Sequence, residues 1–283
     1  MTKEKMENDN LVSVISMKTY NSICNEVFDY MHSFTSDDPV LLQNYGLKQE
    51  HINRVIGYTE VLTRNLELDQ DYVLQSQIIA LLHDIGRFEQ FNQFKTFNDS
   101  LSVDHAELAV EIIDKKGWLN ELPVDIQNNI KKAVNFHNKI AIPKNEGEDV
   151  ILLSKIIRDA DKIDILAMAI QEYSPQNKNK NQFFSLELEN KQLVSKPIAK
   201  AIMAGKLPDK KEMKTVTDFK LVQMAYVFDI YFKKTYSIIN KKQYLKQLFE
   251  TLPKSDQVFE IYRKAKIHVE NQLIWNATDY LLL

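Results

Sequence analysis

The chain has 283 residues, 44% of them hydrophobic and 27% charged, a globular balance with enough apolar material for a buried core. Its formal net charge of −3 argues against a general nucleic-acid binder, and its single cysteine, Cys24, excludes an internal disulfide and fits a reducing compartment. The amino terminus, MTKEKMENDN, lacks a signal-peptide core, and no stretch reaches the roughly 18–20 apolar residues of a membrane helix, so the chain reads as soluble and cytoplasmic.

Glycine and proline are scarce, at six and seven, and apolar residues recur at helical spacing, so the predicted fold class is all-α. Leu11, Val14, Ile15 and Met17, then Ile23, Val27 and Tyr30, predict an opening helix or two. Phe34 to Pro39 reads as a break. His51, Val55, Tyr58 and Leu62 fall on one face of the next helix. Another is predicted from about Asp71 to Phe91, through the apolar run Ile78 to Leu82. Asn92 to Val103 is polar and reads as a loop. Asp104 can cap a helix from His105 to about Lys116, and Pro123 opens one that ends near His137. A long apolar helix follows from about Val150 to Tyr173.

Ser174 to Gln182 reads as a linker or exposed loop. Phe183 to Val194 alternates enough to allow a small β-hairpin with Leu186, Leu188 and Val194 on one face. The rest is helical: a strong amphipathic pattern from Asp218 to Tyr236, then helices near Lys241–Thr251 and Ser255–Ile274. The expected organisation is a helical core over residues 1–173, with an extension over 174–283 that packs on it and shapes a substrate pocket.

Four of the six histidines, His51, His83, His105 and His137, lie between residues 51 and 137; His32 and His268 fall outside the pattern. His83 and Asp84 directly follow the apolar run. A buried histidine beside a buried aspartate needs partners, because an isolated charge in an apolar setting is very unfavourable. A divalent cation satisfies both, and mixed imidazole and carboxylate ligands suit Mn, Fe, Zn, Co or Ni. A second acidic cluster, Asp159, Asp161 and Asp164, sits inside the long apolar helix. Asp161 and Asp164 share a face, whereas Asp159 points elsewhere; all three compete for a ligand role.

His51, then His83-Asp84, then Asp161 in the setting Ala-Asp-Lys, resemble the H…HD…D signature of the HD-domain superfamily of metal-dependent phosphohydrolases. His105 and His137 occupy two further family positions, and the resemblance covers about residues 48–166. It implies an HD-type helical bundle holding one or two divalent transition metals. His51, His83 and Asp161 would bind one, His105 and His137 the other, and Asp84 would bridge them. The implied activity is that of a phosphohydrolase or phosphodiesterase acting on a phosphate ester, such as a nucleotide, through a metal-activated hydroxide.

Asp84 and Arg87 are the catalytic candidates. Arg87 lies one turn past His83, and its planar fork suits a phosphate; Lys139 and Lys162 are further substrate-binding candidates. Arg54, one turn past His51, is expected to pair with a ligand carboxylate. Asp229, set among apolar neighbours, is expected to partner a basic residue or to reach the site. Between Gln176 and Lys214 nine lysines stand against four acids, as a solvated surface or as a rim that attracts an anionic substrate. The expected partner is a small anionic molecule, not a membrane. Two other functions share the scaffold: a two-iron oxygenase that cleaves a C–C or C–P bond, and a module that binds a nucleotide without turnover.

Overall fold

The computed structural model describes residues 13–181 and 183–278, with side chains up to Ile274. Twelve α-helices form among the described residues, with no strand. Helix α1 (Met17–His32) begins where Ser16 accepts the Thr19 amide, so residues 13–16 precede it; Leu11 lies outside the described residues. Asp38 caps α2 (Pro39–Asn65), with Pro39 in its first turn, where a missing N–H goes unfelt. Asp69 caps α3 (Gln70–Leu82). Asp104 caps α5 (His105–Lys116) by accepting the amides of Ala106 and Glu107, and Gly117 ends it at φ 69°, a left-handed stop suited to glycine.

The helix expected over Asp71–Phe91 is in fact two. Helix α3 stops at Leu82, and α4 (Gly86–Phe94) starts after three residues of tight turn. Backbone bonds there run from the Ile85 amide to Leu82 O and from the Arg87 amide to Asp84 O. This change of direction sits at His83-Asp84. Gly86 then lies directly on α5: a Cβ there would stand 2.2 Å from His105 O and 2.8 Å from the Ala109 nitrogen.

Helices α6 (Val124–Phe136) and α7 (Glu148–Tyr173) complete the first half. Helix α7, about 39 Å long at 1.5 Å per residue, joins two apolar clusters. Leu153, Ile156, Ile157 and Ala160 belong to the first, with the buried faces of α1–α6. Ile163 and Leu166 belong to the second, with α8 (Lys196–Met203), α9 (Val216–Met224), α10 (Lys233–Lys241), α11 (Tyr244–Glu250) and α12 (Asp256–Thr278).

The expected hairpin is absent among the described residues. The one β contact is a parallel bridge between Glu189 and Thr215. Leu186 and Glu187 take positive φ values of 55° and 61°, which interrupts an extended segment. Leu186 packs on the first cluster and Val194 on the second, so they share no face. The continuous pattern over Asp218–Tyr236 is also divided, into α9, a 3-10 turn at Ala225–Asp229, and α10. Asp159 accepts the amides of Tyr231 and Phe232 in the gap, giving those backbone donors a partner outside a helix.

Candidate metal centre

Three helix ends and two helix middles deliver the six singled-out residues to one point. His51 comes from the middle of α2, His83 and Asp84 from the turn after α3, His105 from the first turn of α5, His137 from the end of α6, and Asp161 from the middle of α7. His51, His83, Asp84 and His105 are at most 3% exposed, and His137 is 6%.

Each imidazole is fixed through Nδ1. His51 Nδ1 lies 2.7 Å from Asp164 and His105 Nδ1 2.7 Å from Asp99, while His83 and His137 Nδ1 lie 2.7 Å from Ala80 O and Val134 O. All four partners are acceptors, so Nδ1 carries the proton and Nε2 of a neutral ring is a lone pair. The Nε2 atoms nevertheless face one another, 3.2 Å apart for His51 and His83 and 3.0 Å apart for His105 and His137. His51 holds a proton on this side, but in the His105–His137 pair, where burial keeps both rings neutral, lone pair faces lone pair, which is repulsive. A cation between them removes the conflict, and two nitrogens at about 2.1 Å from one ion stand about 3.0–3.4 Å apart. The donor set therefore fits a metal.

Asp84 faces both histidine pairs. Its Oδ2 lies 3.6 Å from His51 Nε2 and 4.0 Å from His83 Nε2; its Oδ1 lies 3.3 Å from His105 Nε2 and 3.8 Å from His137 Nε2. Asp161 Oδ1 is 3.2 Å from His51 Nε2 and 3.9 Å from His83 Nε2. Asp161 is thus the acid of its cluster that reaches the centre. Asp164 supports His51 from behind and Asp159 faces the opposite way. Two overlapping groups, His51–His83–Asp161 and His83–Asp84–His137, have ligand atoms close enough to hold an ion.

The electrostatics agree with ligand chemistry. Burial lowers His83 and His105, and it lowers His137 strongly, aided by the neighbouring His105 and His83. Burial alone would raise Asp84, but Lys48, His83, Arg87 and His105 outweigh it and hold the carboxyl well below its usual range. Asp161 is likewise held low, against its own burial, by the hydrogen bond and charge of His51. His51 is the exception: burial opposes its proton, yet hydrogen bonds to Asp161 and Asp164 raise it to about 9. A metal would have to displace that proton.

The centre forms one wall of a cleft of about 380 Å³. Arg87, Lys139 and Lys162 all line it, but each is engaged. Arg87 Nη1 donates to Gln90, Phe97 O and Asp99, and its Nε lies 3.5 Å from Asp84. Lys139 pairs with Asp104 and Glu107, and Lys162 with Asp229. Asp229 also takes Arg158 at 2.5 Å, so it is a partly buried partner that reaches the cleft wall. Arg54 binds Asp164 through Nε at 2.7 Å and Nη2 at 3.1 Å, and so stands behind His51 instead of pairing with Asp84 or Asp161.

Three residues escaped the sequence reading. Lys48 Nζ donates to Asp84 Oδ2 at 2.9 Å; its place three residues before His51, on the same helix face, was the available signal. Asp99 lies in a polar loop, where one acid among many gives no signal. Arg158, 1% exposed, donates to the carbonyls of Phe136 and Lys139 and so clamps the turn that carries His137.

Comparison with known proteins yields one family. The HD-domain family profile matches residues 49–166. No curated protein and no solved structure matches the chain. The matched span opens two residues before His51 and closes five after Asp161, enclosing all six converging side chains, and residues 49–166 of this chain are an HD domain.

Proposed function

We propose that this HD domain is a metal-dependent phosphohydrolase acting on a small phosphate ester. The observation that carries the reading is the paired convergence of four buried Nε2 atoms on the two oxygens of Asp84. His51, His83 and Asp161 would hold one ion, His105 and His137 the other, and Asp84 both. Such ions supply Lewis acidity to a phosphoryl oxygen and lower the pKa of water.

The chain's own groups prepare that chemistry. Asp164 and Asp99 fix the tautomers of His51 and His105, which aims their Nε2 atoms inward. Lys48 and Arg87 balance the charge of Asp84. Arg87 Nη1 is saturated by protein acceptors, so Nη2 is the atom we assign to a phosphoryl oxygen as charge develops there. Lys139 and Lys162, already neutralised by carboxylates, set the local potential more than they bind. Residues 174–283 act as an extension that closes the cleft. Among the described residues no helix is long and apolar enough to cross a membrane, and the cleft suits a small molecule.

The test is phosphate release from a panel of phosphate esters, run without oxygen, by the metal-loaded chain and by His83→Ala and Asp84→Asn. Activity should need metal, survive anaerobiosis, and fall by about three orders of magnitude or more in both variants. Turnover that stops without oxygen, or that persists in the chelated protein, refutes the proposal.

A further inference from the structure

The cleft holds seven cationic side chains, and five have anionic partners. Lys48 and Arg87 face Asp84, Arg87 also meets Asp99, Lys139 meets Asp104 and Glu107, and Arg158 and Lys162 share Asp229. Lys210 and Lys211 also line the cleft. Among the described residues neither ammonium has a hydrogen bond or an ion pair. An ammonium without a partner is ordinary on an open surface. These two belong instead to a segment that turns in over the cleft. Leu207 and Pro208 line its wall, and Asp209 caps the short 3-10 turn at Lys210–Glu212.

Lys210 remains open to solvent, yet desolvation by the cleft walls lowers its pKa. Lys210 lines the same cleft as His51, Asp84, Asp161, Arg158 and Asp229, and the charges next in effect on it are Asp99, Arg87, Asp161 and Arg158.

We propose that Lys210, with Lys211 beside it, forms a second anion subsite, and that the substrate is a small phosphate ester carrying a second anionic group away from the scissile phosphorus. This rests on the phosphohydrolase reading for the scissile end only. On that reading the HD centre would take the scissile phosphoryl group. The paired cations around it are already neutralised, so the charge left to recognise the rest of the substrate comes from outside the HD domain. The cleft volume of about 380 Å³ equals roughly a dozen waters at about 30 Å³ each, the size of a phosphorylated sugar or similar molecule.

The experiment compares binding to the manganese-loaded full chain by calorimetry. The probes are glucose 6-phosphate, glucose 1,6-bisphosphate and gluconate 6-phosphate, which share a scaffold and differ in their second charge. Wild type should bind at least one doubly anionic probe roughly tenfold tighter than glucose 6-phosphate, the yield of one added ion pair in a cleft. Lys210→Ala should remove most of that preference while leaving glucose 6-phosphate affinity and metal content unchanged, and Lys210→Arg should keep it. Preference for the bisphosphate alone identifies a phosphate subsite, and preference for the gluconate alone identifies a carboxylate subsite. Equal binding of all three probes by wild type, or a preference untouched in Lys210→Ala, overturns the subsite. Phosphate release is read separately: selective binding with no turnover of any ester refutes the hydrolase but not the subsite, whereas turnover without selectivity refutes the subsite alone.

Discussion

Gly86→Ala tests whether the packing of α4 on α5 sets the width of the metal centre. Gly86 has no unusual backbone angle, so the substitution acts by bulk alone. The added methyl would stand 2.2 Å from His105 O, and ordinary contact begins near 3.4 Å. The two helices must therefore part by about 1.2 Å (3.4 − 2.2) along that line. His105 Nε2 is now 3.3 Å from Asp84 Oδ1; the same displacement carries it to about 4.5 Å. Two donors on one ion with bonds of about 2.1 Å cannot stand more than about 4.2 Å apart, so the ion we assign to His105, His137 and Asp84 should lose a ligand. Overpacking of this kind costs about 3 kcal/mol, the upper end of its usual range, or roughly 6–12 °C in Tm. The assay is metal content after saturation and desalting, alongside calorimetric melting. Gly57→Ala is the control, because nothing lies within 4 Å of its Cβ. The expected result is a loss of about one metal per chain with helical content intact. Full metal content and an unchanged Tm in Gly86→Ala would refute the steric reasoning.

Asp164→Ala removes the acceptor of His51 Nδ1 and should weaken metal binding about 10- to 100-fold in a chelator competition; unchanged affinity would show that His51 needs no such support. The metal-free protein should lose stability as pH rises. The His51 pKa is raised to about 9 in the folded chain, so its contribution of about 3 kcal/mol is full below about 6.5 and lost by about 9. For the same reason metal binding near pH 7.5 should release close to one proton, seen as a buffer-dependent heat; equal heats in buffers of different ionisation enthalpy would contradict this. Arg158→Met leaves Asp229 to Lys162 alone and removes the donors to the Phe136 and Lys139 carbonyls, and should destabilise by about 1–3 kcal/mol in denaturant melts. A change below about 0.5 kcal/mol would mean that the buried guanidinium holds nothing in place.

The fold was legible where local chemistry marks it. Asp104 and Pro123 announced their helices, and the structure starts them there, because a side-chain cap and a proline's fixed φ both act on near neighbours in sequence. The apolar run into His83 did not announce its stop. Nothing in Leu-His-Asp-Ile-Gly forbids a helix, and the turn follows from the close seat of Gly86 on α5, a contact made only once the chain has folded. The division of the 218–236 pattern has the same origin, since Asp159, more than seventy residues earlier, takes the amides of Tyr231 and Phe232. The supposed hairpin failed because alternation describes a strand only when its apolar side meets one surface, and here it meets two.

The candidate site divides along the same line. The side chains that converge carry their own signal, because histidine and aspartate inside apolar helices have few other reasons to be there. Choosing Asp161 over Asp159 and Asp164 took coordinates: all three are acids of one apolar helix, and distance to His51 Nε2 separates candidate ligand from support. Cations are harder still. Arg87, Lys139 and Lys162 stood out by nearness in sequence to the motif, yet a cation near a carboxylate-rich centre is the one most readily neutralised by it. Lys210 and Lys211 lie in a lysine-rich stretch with nothing to distinguish them from a solvated face until the fold brings them over the cleft. Whether a charge is free to meet a substrate depends on which partners it lacks, and a sequence records the residues present, not the pairs they make. On the proposed reading, the reacting end of the substrate would be legible from the HD motif, while its remaining end would be met by a segment whose place at the cleft appears only in three dimensions.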